Sequence, residues 1–226
     1  MTNQTLRIAT INAVTASIEP ARRALIQALP GVDVWSILDD RLLQDADISG
    51  GLTQGLSDRM VRLISHAREE GVDAILLTCS LYGPVAESVL DADIPLVSAD
   101  GPAFDAVASL TGSRVAVVSG GATPLADSVT RTESRARELG SDVELVPVLA
   151  QDAALRSGGD VAALTAAIVE AVAAHAPAVD AVFLAQYSLS PAGDDVSRTL
   201  GLPVLSGPQW AARRIADSLE AREGQA

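Results

Sequence analysis

Lysine is absent from this 226-residue chain, so all 16 basic side chains are arginine. Without a lysine, no Schiff base with pyridoxal phosphate or a carbonyl substrate can form, and no P-loop lysine exists. One cysteine, Cys79, and two histidines, His66 and His175, are also too few for a dedicated zinc or iron–sulfur centre. The composition therefore predicts chemistry with no cofactor and no metal. A lone cysteine cannot close an internal disulfide, which predicts a reducing, cytoplasmic setting. Basic charge is outnumbered: 29 acidic residues set a net charge of −13, which argues against nucleic acid or an anionic membrane as partner. No apolar run approaches the roughly 18 residues of a membrane span, and the N-terminus lacks a signal-peptide core. Aromatics make up only 3% of a chain that is 48% hydrophobic, so aliphatic residues and alanine must fill one large core or two small ones.

What is present is an alternation of short β-branched runs and stretches of helical period, the pattern of a parallel sheet with crossover helices. Strands are predicted at Leu6–Ile11, Val32–Ile37, Ala74–Thr78, Leu96–Ser98, Arg114–Ser119, Val143–Val148, Ala181–Ala185 and Val204–Ser206. Helices are predicted near Glu19–Leu29, Leu56–Glu70, Pro84–Asp91, Pro102–Leu110, Leu125–Leu139, Val161–Ala174, Pro191–Leu200 and Pro208–Ala221. Prolines 84, 102, 191 and 208 would sit in first helical turns, where the missing N–H costs nothing.

The chain also repeats itself. Val72-Asp73-Ala74-Ile75-Leu76-Leu77-Thr78-Cys79-Ser80 matches Val179-Asp180-Ala181-Val182-Phe183-Leu184-Ala185-Gln186-Tyr187 at an offset of 107 residues (179 − 72). The same offset carries Arg7 onto Arg114, Gln44-Asp45-Ala46 onto Gln151-Asp152-Ala153 and Pro84 onto Pro191. Order-preserving matches at polar positions indicate repeated units. We therefore expect an α/β protein of two pseudo-symmetric halves, each with a four-stranded parallel sheet. The first half is 1–100 plus 208–226 and carries Cys79; the second is 101–207 and carries Gln186. Ligand sites form at the carboxyl ends of parallel strands, so the two halves are expected to share one cleft there.

Cys79 falls at such a strand end, within Thr78-Cys79-Ser80 and just before a predicted helix. Helix N-termini lower thiol pKa values, and the flanking hydroxyls can bind an anion. The bland reading is a buried cysteine that fills space. Asn12 in Thr10-Ile11-Asn12-Ala13-Val14-Thr15 and Thr123 in Ser119-Gly120-Gly121-Ala122-Thr123 also mark turns from strand to helix, either anion cradles or ordinary capping.

These features together resemble the aspartate/glutamate/hydantoin racemase superfamily, which includes arylmalonate decarboxylase and maleate isomerase. The resemblance covers nearly the whole chain, on short motifs. It implies two flavodoxin-like halves and cofactor-independent proton transfer next to a carboxylate, with one cysteine from each half. Carried over by position, Cys79 matches the first-half cysteine and Gln186 takes the second-half slot, both five residues before a proline. Asn12, Thr78, Ser80, Thr123, Gln186 and Ser188 would hold the substrate. Family members often form dimers, which leaves a homo-oligomer open.

Glutamine exchanges no proton near neutral pH, so Gln186 cannot be a second base. A one-residue slip that aligns Ser80-Leu81 with Ser188-Leu189 puts Tyr187 opposite Cys79 as an acid. Alternatively one thiol suffices, as in decarboxylation, or Cys79 adds to an activated double bond, as in the isomerase branch. A reading from another class is a small-carboxylate binding protein without turnover. His66 and His175, near helix carboxyl ends, read as structural. Gly50-Gly51 and Gly158-Gly159 are possible lid hinges after the second strand of each half. Asp39-Asp40 and Asp194-Asp195 read as turn and solvated helix face.

Overall fold

The computed structural model describes residues 5–89, 93–176 and 178–224. The chain divides into two units, Met1–Pro102 with Ala211–Ala226, and Ala103–Trp210.

In the first unit the elements run β1 (Arg7–Asn12), α1 (Ile18–Ala28), β2 (Asp33–Leu38), α2 (Arg41–Ile48), α3 (Gln54–Glu69), β3 (Ala74–Leu77), α4 (Gly83–Ser88) and β4 (Leu96–Val97). The helix α5 (Gly101–Ala108) then leads into the second unit. That unit holds β5 (Arg114–Ser119), α6 (Ala122–Leu139), β6 (Glu144–Leu149), α7 (Ala153–Arg156), α8 (Val161–His175), β7 (Ala181–Leu184), α9 (Gly193–Leu200) and β8 (Val204–Ser206). The last helix, α10 (Gly207–Glu223), returns the chain to the first unit.

Each sheet is parallel, in the orders β2-β1-β3-β4 and β6-β5-β7-β8. The inner strands β1, β3, β5 and β7 are almost wholly buried, which is why they read as unbroken aliphatic runs instead of alternating ones. Pro147 lies on the edge strand β6, where its missing N–H disturbs the ladder least. In the first sheet Ala9, Ile11, Ile75 and Leu77 pack against Leu42, Met60, Ile64 and Tyr82. The second sheet buries Val118, Val182 and Leu184 on Ile168 and Val196, and a further cluster joins Val117 and Phe183 to Phe104.

The repeat extends to polar contacts at the amino ends of the strands. Arg7 donates its backbone N–H to the Asp73 carboxylate at 2.7 Å and pairs its guanidinium with Asp33 at 2.8 Å. Arg114, at the offset of 107, does the same with Asp180 at 2.8 Å and Glu144 at 3.0 Å.

The sequence expectations differ from the structure at α2, at α7 and at Pro191. Helices α2 and α7 were not expected, and they separate the second strand of each unit from Gly50-Gly51 and Gly158-Gly159. Those glycines take left-handed φ values between 59° and 133°, turning the chain after these helices. Pro191 lies inside a 3-10 helix, Tyr187–Ala192, and not in the first turn of α9. The expected helical end at Asp91 lies outside the described residues. No helix among them is long and apolar enough to cross a membrane.

Gly140 closes α6 with φ +66° and nothing within 4 Å of where a Cβ would stand. Gly140→Ala should therefore cost only backbone strain, about 1 kcal/mol by denaturant unfolding. An unchanged midpoint would show that this cap carries no strain.

Candidate active site

At the carboxyl edge of the first sheet, β1 and β3 end side by side in a sealed polar junction. The Asn12 side chain is 0% exposed, and its Nδ2 donates to the Thr10 carbonyl, the Thr10 hydroxyl and the Ile37 carbonyl at 3.0–3.1 Å. Its Oδ1 accepts from the Thr78 hydroxyl at 2.9 Å and from the Ser17 hydroxyl at 3.1 Å. The Ser17 and Thr78 oxygens are themselves 2.9 Å apart. Asn12 and Thr78 are thus committed inward. Their side chains brace the turn that carries Cys79.

Cys79 follows directly, in extended conformation (φ −112°, ψ 119°), as the residue before a 3-10 helix, Ser80–Tyr82. Its carbonyl accepts the Tyr82 N–H at 3.1 Å. The thiol is partly buried against the Leu77 and Tyr82 cluster. Burial pushes its pKa above the ordinary thiol value, the Asp100 and Asp47 carboxylates add to the rise, and the N–H groups of Leu81 and Tyr82 oppose it. The sequence reading expected the turn's dipole to win and lower the pKa. Desolvation outweighs it, so Cys79 rests as a thiol. Tyr82, behind it, donates to the Leu42 carbonyl at 3.0 Å and is pushed up to about 12, first by burial and then by the thiolate form of Cys79. It is a neutral packing group.

In the second unit the matching strand end carries Gln186, also extended (φ −147°, ψ 140°) and also just before a 3-10 helix. Its Oε1 accepts the Gly120 N–H at 2.7 Å, at the turn from β5 into α6. A Cβ on Gly120 would stand 3.1 Å from that oxygen, a tight contact. The 3-10 helices of the two units start at Ser80 and at Tyr187. Tyr187 is buried, Ser80, Gln186 and Ser188 are half-buried, and Thr123 is exposed in the first turn of α6.

The remaining candidates are structural. His66 packs edge-on to Trp35, and His175 lies in the last turn of α8. Asp39 and Asp45 both grip Arg59, at 2.6 and 2.9 Å. No cluster of three or more metal-capable side chains occurs among the described residues. Sequence reasoning missed Ser17 and Asp100, which fall between predicted elements and belong to none of the motifs.

Because Asn12→Ala would leave buried groups of Thr10, Ser17, Ile37 and Thr78 short of partners, it should cost about 2 kcal/mol in thermal or denaturant unfolding. A loss of only a few tenths would mean that the junction does not brace the turn.

Comparison with known proteins places this arrangement. No curated protein matches the sequence. Among solved structures, a glutamate racemase from Bacillus anthracis superposes with a TM-score of 0.70 at 14% identity, over 97% of this chain and 83% of that one. An allantoin racemase from Klebsiella pneumoniae gives 0.69 at 17% identity, over 97% and 89%. An aspartate racemase from Picrophilus torridus gives 0.65 at 14% identity, over 95% and 94%. At such identities these likenesses establish the fold. The sequence itself matches the model of the Asp/Glu/Hydantoin racemase family over residues 10–215, and the chain belongs to that family.

Proposed function

We propose that this racemase-family enzyme transfers a proton at the carbon next to a carboxylate of a small acid, with Cys79 as the acid/base group and no cofactor. The observation that carries the reading is the placing of the chain's one thiol at the carboxyl edge of β3. There it is braced from below by the Asn12 junction and followed by the N–H groups of Leu81 and Tyr82. A thiol is one of few side chains able to take and return a carbon-bound proton. A glutamate racemase from Francisella tularensis has been solved in complex with D-glutamate, which makes dicarboxylic amino acids the first substrates to test.

On the family resemblance, Ser80, Thr123, Gln186 and Ser188 are assigned contacts to substrate oxygens. Gln186 would hold the slot of the family's second cysteine, with Nε2 as the donating group, since Oε1 already takes the Gly120 N–H. Tyr187 is the candidate second acid. A second reading, decarboxylation, is favoured by the raised thiol pKa: a resting thiol is ready to protonate a carbanion left by carbon dioxide, and one proton donor is enough.

Incubation in heavy water with glutamate, aspartate and an aryl-substituted malonate, followed by NMR, separates these readings. Wild-type protein should incorporate deuterium at the α-carbon of at least one acid or its product, and Cys79→Ala should lower the rate by about 10² or more. Exchange that survives in Cys79→Ala would remove the thiol from its role. Tyr187→Phe should keep exchange but lose inversion if the phenol supplies the opposite face.

A further inference from the structure

Helix α2 is held against the cysteine turn by polar contacts that the second unit does without. The Tyr82 hydroxyl donates to the Leu42 carbonyl of α2 at 3.0 Å. Arg59, from α3, pairs with Asp39 just before α2 at 2.6 Å and with Asp45 inside it at 2.9 Å, and Arg41 adds a further pair to Asp45 at 2.8 Å. Leu42 and Ala46 are the buried residues of α2, and they lie in one packed cluster with Tyr82 and Cys79. Past the far end of α2, Gly50 and Gly51 take φ values of 72° and 133°, with open space where a Cβ would stand.

The second unit builds the same turns from apolar residues. Helices α3 and α8 start 107 residues apart (161 − 54), which sets Ala166 opposite Arg59. The Asp39 N–H donates to the Asn12 carbonyl and the Ala150 N–H to the Ser119 carbonyl, so Ala150 stands where Asp39 does. Tyr82 and Leu189 each donate an N–H to the carbonyl at the strand corner, of Cys79 and of Gln186. Two alanines and a leucine thus support the turns that aspartate, arginine and tyrosine support in the first unit. The clasp is not a demand of the fold. It belongs to the unit that carries the thiol.

We propose that α2 is a latched cover on the Cys79 turn: the Arg59 clasp holds it shut, and its opening at Gly50-Gly51 lets a small acid reach the sulfur. Its use in catalysis rests on the proton-transfer reading given above. The side chains of Arg59, Asp39 and Asp45 are 32%, 14% and 29% exposed. The latch is therefore partly solvated, and dissolved salt weakens it.

Cys79 is the chain's single cysteine, so alkylation followed by mass reads this site alone. Iodoacetamide and a bulky N-aryl iodoacetamide react with thiolate by the same chemistry, so the ratio of their rates reports opening and not thiol acidity. Raising sodium chloride from about 0.05 M to about 1 M should raise the bulky-to-small ratio of wild-type protein about threefold to fivefold. Arg59→Met should show the raised ratio already at low salt and respond little to more, and Arg59→Lys should restore part of the salt response. Tyr82→Phe, which frees the Leu42 carbonyl but keeps the ion pairs, should raise the ratio and retain that response. A low-salt ratio in Arg59→Met equal to that of wild type, or a full salt response that survives in it, overturns the latch. If Arg59→Met does not fold, Asp45→Asn removes one arm of the clasp and is read by the same criteria. The labelling needs no substrate, so a protein that exchanges no acid in heavy water but shows the salt-dependent ratio keeps the cover and loses the reading of its use.

Discussion

The buried carboxamide of Asn12 is the fixed point of the first unit's carboxyl edge. One side chain ties β1 to β2 through the Ile37 carbonyl, to β3 through Thr78, and to the entry of α1 through Ser17. The bonds to Thr78 and Ser17 are buried, so breaking either strands a polar group. The backbone that leaves this junction has little choice of direction, and Cys79 is the next residue out. A reactive group on a strand-to-helix turn is only as well placed as the turn is stiff, and here the stiffness is built from polar contacts a few ångströms beneath the sulfur.

The two units answer the same structural problem with different chemistry. Both end an inner strand in extended backbone and begin a 3-10 helix at once. In the first, the residue at that corner is a thiol whose ionisation is held back by burial and by carboxylates. In the second it is a neutral amide whose oxygen is already satisfied by the Gly120 N–H. An amide in that position can orient and donate but not exchange a proton near neutral pH.

Much of this was legible in the residues. Arg114–Ser119 and Val204–Ser206 were read to the residue, because buried parallel strands are continuous aliphatic runs bounded by polar ones. The repeat was legible too, since it is carried by polar positions such as Arg7 and Arg114 whose ion pairs recur at the strand starts. Helix α2 escaped because only Leu42 and Ala46 of its eight residues are buried, too few to show a period. The 3-10 helices escaped because Ser80-Leu81-Tyr82 carries no capping or periodic signal. The thiol's pKa was read in the wrong direction: a turn dipole can be seen in sequence, whereas desolvation and the nearness of Asp100 depend on chain segments some twenty residues apart meeting at one sheet edge.

The central claim is that small acids bind against the Cys79 sulfur. The most direct measurement is the rate at which iodoacetamide alkylates that single cysteine, followed by mass, with and without glutamate, aspartate or an aryl-substituted malonate. The account predicts saturable protection by at least one of these acids, with half-protection at the concentration that half-saturates exchange. An alkylation rate unmoved by an acid that the protein demonstrably turns over would contradict it.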